Sequence, residues 1–151
     1  MMEFSRGLAL ATLLLIFPGC GVNPSALPPG ELGRQFAVTV PGKTWSQEVS
    51  TGGVQGQMIK QFNKDGSAKG VLLFKRRTGS VSLVMPEMPF TSRWRVTGDV
   101  VETYDVKTGV PGLFKPGEVI RDTIVSVSPD RILSRSKDRG KIEVLTRLGS
   151  D

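Results

Sequence analysis

Three carboxylates cluster within seven positions, Asp99, Glu102 and Asp105, and paired carboxylates are the groups that flank a glycosidic bond as acid and base. Two thioethers, Met85 and Met88, bracket Pro86-Glu87, with Met58 as a third soft donor of the kind that holds Cu(I). Neither group has a second cue beside it. The chain contains no His and one Cys, so Ser-His-Asp triads, Cys-His dyads, Cys/His zinc sites and disulfide frameworks are excluded by composition. The carboxylates therefore read as exposed strand residues and the methionines as loop hydrophobes. No enzymatic activity, metal or cofactor is expected.

The clearest chemistry belongs to the single thiol. Leu8 to Phe17 reads LALATLLLIF, an unbroken run of apolar and small residues with Arg6 before it and Pro18-Gly19-Cys20 after it. A membrane-spanning helix needs about 20 such residues, so this shorter run has the dimensions of a signal-peptide hydrophobic region. Its ending, Phe17-Pro18-Gly19-Cys20, resembles the lipobox of bacterial lipoproteins. The resemblance implies that residues 1–19 are a signal peptide, that Cys20 receives a diacylglycerol and becomes the first residue after cleavage, and that its amine is then acylated. Each acyl CH₂ buried in lipid contributes about 0.8 kcal/mol to the anchor. Gly21 stands where inner-membrane retention in enteric bacteria typically shows Asp, so the expected place is the cell envelope, at the outer membrane facing the periplasm.

Lys and Arg total 20 against 14 Asp and Glu, a formal charge of +6. In an exported chain such an excess faces anionic lipid head groups, lipopolysaccharide or wall polymers rather than nucleic acid, or serves solubility alone. Its densest run is Lys75-Arg76-Arg77, and between Lys60 and Arg77 six basic residues stand against Asp65. The run reads as a solvated face that discourages edge pairing, or as a patch for an anionic partner.

These groups need elements to hold them. Residues 20–33, the modified Cys followed by GVNPSALPPGELG, have the composition of a tether, and 13 residues of polyproline-like backbone would reach about 40 Å. From 34 to 151 apolar and polar residues alternate in short runs, which predicts strands over 34–40, 45–50, 56–63, 69–76, 80–85, 91–97, 99–106, 118–128, 131–136 and 141–148. Turn chemistry separates them at Asn63-Lys64-Asp65-Gly66, Arg77-Thr78-Gly79, Thr97-Gly98-Asp99, Lys107-Thr108-Gly109 and Asp138-Arg139-Gly140. Hairpins in series predict an all-β, antiparallel fold that closes as an up-and-down barrel, with a β-sandwich as the alternative. Proline predicts rim loops at Pro86–Pro89 and Val110–Gly117.

Several segments in order resemble the bacterial lipocalin-like families of the calycin group: Gly42-Lys43-Thr44-Trp45, FNKDGSAKG from Phe62, WRVTGDV from Trp94, IVSVSPDRIL from Ile124, and Thr146-Arg147-Leu148. The resemblance implies a barrel whose early Trp, here Trp45, closes one end beneath a basic residue of the last strand, here Arg147, with cation–π contact between them. Alternation places Trp45, Phe62, Leu72, Phe74, Leu83, Trp94, Val96 and Tyr104 inside. Two functions follow as expectations: a binder of a small apolar ligand lined by these residues, or an envelope interaction module whose core they simply fill. The interior volume distinguishes them.

Overall fold

The structure is a computed structural model that describes residues 27–51, 54–78 and 80–149. The segment expected to be a signal peptide, Cys20 and the first part of the expected tether lie outside the described residues. Helix α1 (Glu31–Thr39) comes first, followed by nine strands: β1 (Thr44–Thr51), β2 (Val54–Phe62), β3 (Ser67–Thr78), β4 (Val81–Val84), β5 (Met88–Thr97), β6 (Val100–Thr108), β7 (Ile120–Val127), β8 (Arg131–Ser136) and β9 (Ile142–Arg147).

Eight of the strands close on themselves. All neighbours are antiparallel, in the order β1-β2-β3-β5-β6-β7-β8-β9 and back to β1. The up-and-down barrel expected from the sequence is therefore present, and the sandwich is not. β4 is the extra strand, pairing with the far end of β3 through Lys75↔Val84 to Thr78↔Val81, beyond the wall. Closure satisfies the backbone groups that an open sheet would leave at its edges, which is why hairpins in series settle into this form.

Residues 34–39 of the segment predicted as a strand over 34–40 are the body of α1, and Val40 is its C-cap. Alternation of Phe36, Val38 and Val40 mimics a strand, but Val38 is exposed while Phe36 and Val40 are buried, a spacing that one helical face also provides. Residues 28–33, read as tether from composition, pack on the barrel: Pro29 bridges Gly98, and the Gly30 amide donates to the Gly98 carbonyl at 2.8 Å. α1 plugs the end of the barrel formed by the β2–β3, β5–β6 and β7–β8 turns. There Phe36, Phe62 and Trp94 meet edge to face with centroids 5.5 to 5.9 Å apart, contacts worth about 0.5–1.5 kcal/mol each. Trp45 is 1% exposed and donates from Nε1 to the Val40 carbonyl at 3.1 Å, tying floor to wall.

A second apolar cluster, Leu72, Phe74 and Phe90 with Val49, Val54, Met58 and Met88 against it, lies toward the other end. Gly70 makes it possible, because a Cβ there would sit 2.6 Å from Phe90 Cζ, and the ring instead lies across the glycine of the paired strand. Pro89 was expected in a rim loop and is instead the second residue of β5, opposite Val71. It is tolerated because β6 pairing begins only at Phe90, so no second ladder needs the missing N–H. Val110–Gly117 is a loop, as proline content predicts.

Candidate functional site

Between floor and rim the barrel encloses a cavity of about 330 Å³. Its two sides differ. β2, β3 and β5 present Met58, Phe62, Leu72, Phe74 and Phe90, and the long β6–β7 loop adds Leu113 and Phe114 over the rim. The opposite side carries one polar side chain from each of several strands: Gln47 on β1, Thr103 on β6, Asp122 on β7, Ser134 on β8 and Glu143 on β9, with Lys60 reaching in from β2. The space is amphipathic across its width.

Lys60 is the unusual member. Its residue is 7% exposed, its Nζ lies 4.5 Å from the Phe62 ring centroid, and its hydrogen bond is a long one of 3.4 Å to Thr103 Oγ1. Burial lowers its pKa to about 8, only partly opposed by the charge of Asp122. Asp122 is its complement: burial, then Glu143, push its carboxyl up to about 6, against the pull of Lys60 and Arg139, and Oδ1 is buried with no hydrogen-bond partner. Glu143 is better served, accepting from Gln47 Nε2 at 2.8 Å and from Arg139 Nη2 at 2.8 Å.

β1 and β9 pair only from Trp45↔Arg147 to Gln47↔Leu145. Above that they part, and a second cleft of about 370 Å³ opens on the flank, bordered by Glu48, Lys141, Ile142 and Val144. Cavity and cleft share Val49, Ser50, Arg139 and Glu143. The Arg139–Glu143 pair therefore stands between them.

Of the residues the sequence places inside, Phe62, Leu72 and Phe74 line the cavity, Trp45 and Trp94 are buried in the floor beneath it, and Val96 packs on the floor cluster. Trp94 donates from Nε1 to the carbonyls of Asn63 and Ser67, both at 3.1 Å, and so anchors the β2–β3 turn. Leu83 and Tyr104 are corrections. Leu83 is 56% exposed because β4 leaves the barrel, so alternation along it no longer distinguishes inside from outside. Tyr104 lies on the outer face under Arg95, 5.1 Å from guanidinium carbon to ring centroid. Val106 and Thr103 both face in, and the irregularity near Asp105, whose φ is 49°, inverts the parity between them. Arg147 is the cross-strand partner of Trp45, yet its guanidinium reaches Asp130 at 3.4 Å; the cations over aromatic rings among the described residues are Lys60 and Arg95.

The remaining candidates are structural. Asp99 accepts from the Gly33 amide, and Glu102, on the outer face, bridges Arg95 and Arg121 at 2.6 and 2.9 Å. Burial opposes the Glu102 charge, but hydrogen bonds from the two arginines outweigh it and hold the carboxyl below its usual range. Lys75 and Arg76 are exposed on opposite faces of the β3–β4 ribbon, and the backbone of Arg77 continues it opposite Ser82. The basic run is thus divided between two faces, and Lys60, counted with it along the sequence, belongs to the interior. The signal for Lys60 was its place in the row Met58-Lys60-Phe62; for Asp122 it was parity with Ile120 and Ile124.

No family model matches the chain, and no curated protein matches it either.

Proposed function

We propose that this chain is a non-enzymatic bacterial lipoprotein, acylated at Cys20 and held in the cell envelope, whose lipocalin-like barrel binds a small, largely apolar ligand. The cavity carries this reading. An eight-stranded barrel has an interior that side chains can fill or one small ligand can occupy, and a space of about 330 Å³ beneath Leu113 and Phe114 favours occupancy. The competing role, an envelope interaction module, calls for a packed interior, and division of the basic run between two faces weakens the patch it would use.

Binding is tested with the neutral fluorophore N-phenyl-1-naphthylamine added to the purified full chain. Saturable enhancement at one site, reduced at least fivefold in affinity by Phe74→Trp, which fills the space, supports the reading. A chain that neither enhances fluorescence nor retains a copurifying small molecule in native mass spectrometry refutes it. The anchor is tested separately: Cys20→Ala is expected to abolish acylation and release the protein from membranes.

A further inference from the structure

Resting on that ligand-binding reading, we propose that the occupant is an uncharged amphiphile, an apolar chain ending in a hydroxyl or amide group that accepts a hydrogen bond from Lys60 Nζ and donates one to the Asp122 carboxyl group. Two unfinished groups support this. An ammonium carries three donors, and Lys60 spends one, on the long bond to Thr103. Asp122 lines the same cavity, and its buried Oδ1 has no partner. The two form no ion pair with each other, so neither satisfies the other, and a buried polar atom left in that state is costly. A head group that both accepts and donates can bond the Lys60 ammonium and the Asp122 carboxyl at once.

Charge decides which head group. The cavity is lined by Lys60 and Arg139 on one side of the ledger and by Asp122 and Glu143 on the other, so their formal charges cancel. A carboxylate would add a third negative charge beside Asp122, whose ionisation burial and Glu143 already oppose. An ammonium would meet Lys60. A hydroxyl or a primary amide adds no charge and offers both hydrogen-bonding roles.

Geometry places the rest of the molecule. Leu72, Phe74, Phe90 and Met58 form the wall across from the polar side, and Phe114 of the β6–β7 loop adds to the lining. A cavity of about 330 Å³ lies in the size range of sites that hold one small ligand, so a medium-length apolar chain with a small head suits it.

The test compares 1-decanol, decanoate and decylammonium as displacers of N-phenyl-1-naphthylamine from the full chain at pH 7.5. Decanol is expected to bind at least tenfold more tightly than either ion. Lys60→Met should weaken decanol about tenfold more than it weakens the fluorophore, whose affinity is measured directly on the same variant. Asp122→Asn, an isosteric change, should narrow the gap by strengthening decanoate severalfold, which a merely structural role for Asp122 would not do. Decanoate binding as tightly as decanol to the unaltered chain, or a decanol preference unmoved by both folded variants, overturns the proposal while fluorophore binding leaves the cavity reading intact. Absence of both fluorophore and decanol binding overturns the two together.

Discussion

Asp99 Oδ1 accepts a hydrogen bond at 2.9 Å from the amide of Gly33, which lies 66 residues earlier in the chain. The N-cap of α1 is Gly30, which has no side chain to satisfy the first-turn amides, so the cap comes from the β5–β6 turn instead. The same turn fixes distance, since a Cβ on Gly33 would sit 2.2 Å from the Gly98 carbonyl oxygen. Asp99→Ala is therefore expected to cost about 1 kcal/mol, the usual value of a lost N-cap. Urea unfolding measures it, and Gly33→Ala should cost more, because backbone rather than a mobile side chain would have to move.

The buried charges set a pH signature. Asp122 releases its proton near 3.8 when unfolded and near 6 when folded. The folded state thus holds more protons between those values, and its contribution to stability falls as pH rises from about 4 to about 6. Lys60 shifts from 10.5 to about 8 on folding, so the folded state holds fewer protons across that window and stability rises from pH 8 to 10.5. Urea midpoints plotted against pH should show this pair's penalty greatest between pH 6 and 8. Asp122→Asn should flatten the acid limb and Lys60→Met the alkaline one; an unchanged profile in both would contradict the burial described.

How much of this was legible in the sequence depends on how local the cause is. Period-two alternation and glycine turns mark nine strands to within a few residues, because each hairpin is specified by its own neighbours. Residues 34–40 misled because Phe36 and Val40 fit one helical face as well as a strand, and what selects helix is the distant cap from Asp99. Tyr104 misled because an irregularity at Asp105 depends on pairing with β5, a tertiary event. Lys60 was visible as a lysine in an apolar row, yet only closure of the barrel brings Asp122, Thr103 and Glu143 around it.

Keeping those charges inside should lower stability. Replacing a buried ionic set by apolar or neutral groups of similar volume is often neutral or stabilises by about 1–4 kcal/mol. The double variant Lys60→Met with Asp122→Asn is accordingly expected to unfold at higher urea than the unaltered chain at pH 7. Lys60→Met alone should gain less, because it removes the cation nearest in effect to Asp122. A double variant less stable than either single one would show that the two groups support each other more than burial opposes them.

Arg139 occupies the boundary between the cavity and the flanking cleft. Truncating it should open a lateral route without changing the cavity's apolar wall. Stopped-flow fluorescence is expected to show association and dissociation of N-phenyl-1-naphthylamine both accelerated severalfold in Arg139→Ala, with Kd changed less than twofold. Unaltered rates would instead direct ligand passage past Leu113 and Phe114.

β4 carries an opposite hazard. Val81, Leu83 and Val84 are 57, 56 and 74% exposed, and the strand pairs with β3 alone, leaving its other edge open among the described residues. A short apolar edge of this kind templates pairing with a second chain, and nearby basic side chains such as Lys75 and Arg76 are the usual protection. Replacing both by Ala should raise self-association, read as a concentration-dependent rise in sedimentation coefficient. Val84→Lys should suppress it. Because Val84 is a surface residue away from the cores, its substitution should change stability by less than about 0.5 kcal/mol; a larger loss would mean that β4 contributes to the barrel and is not merely appended to it.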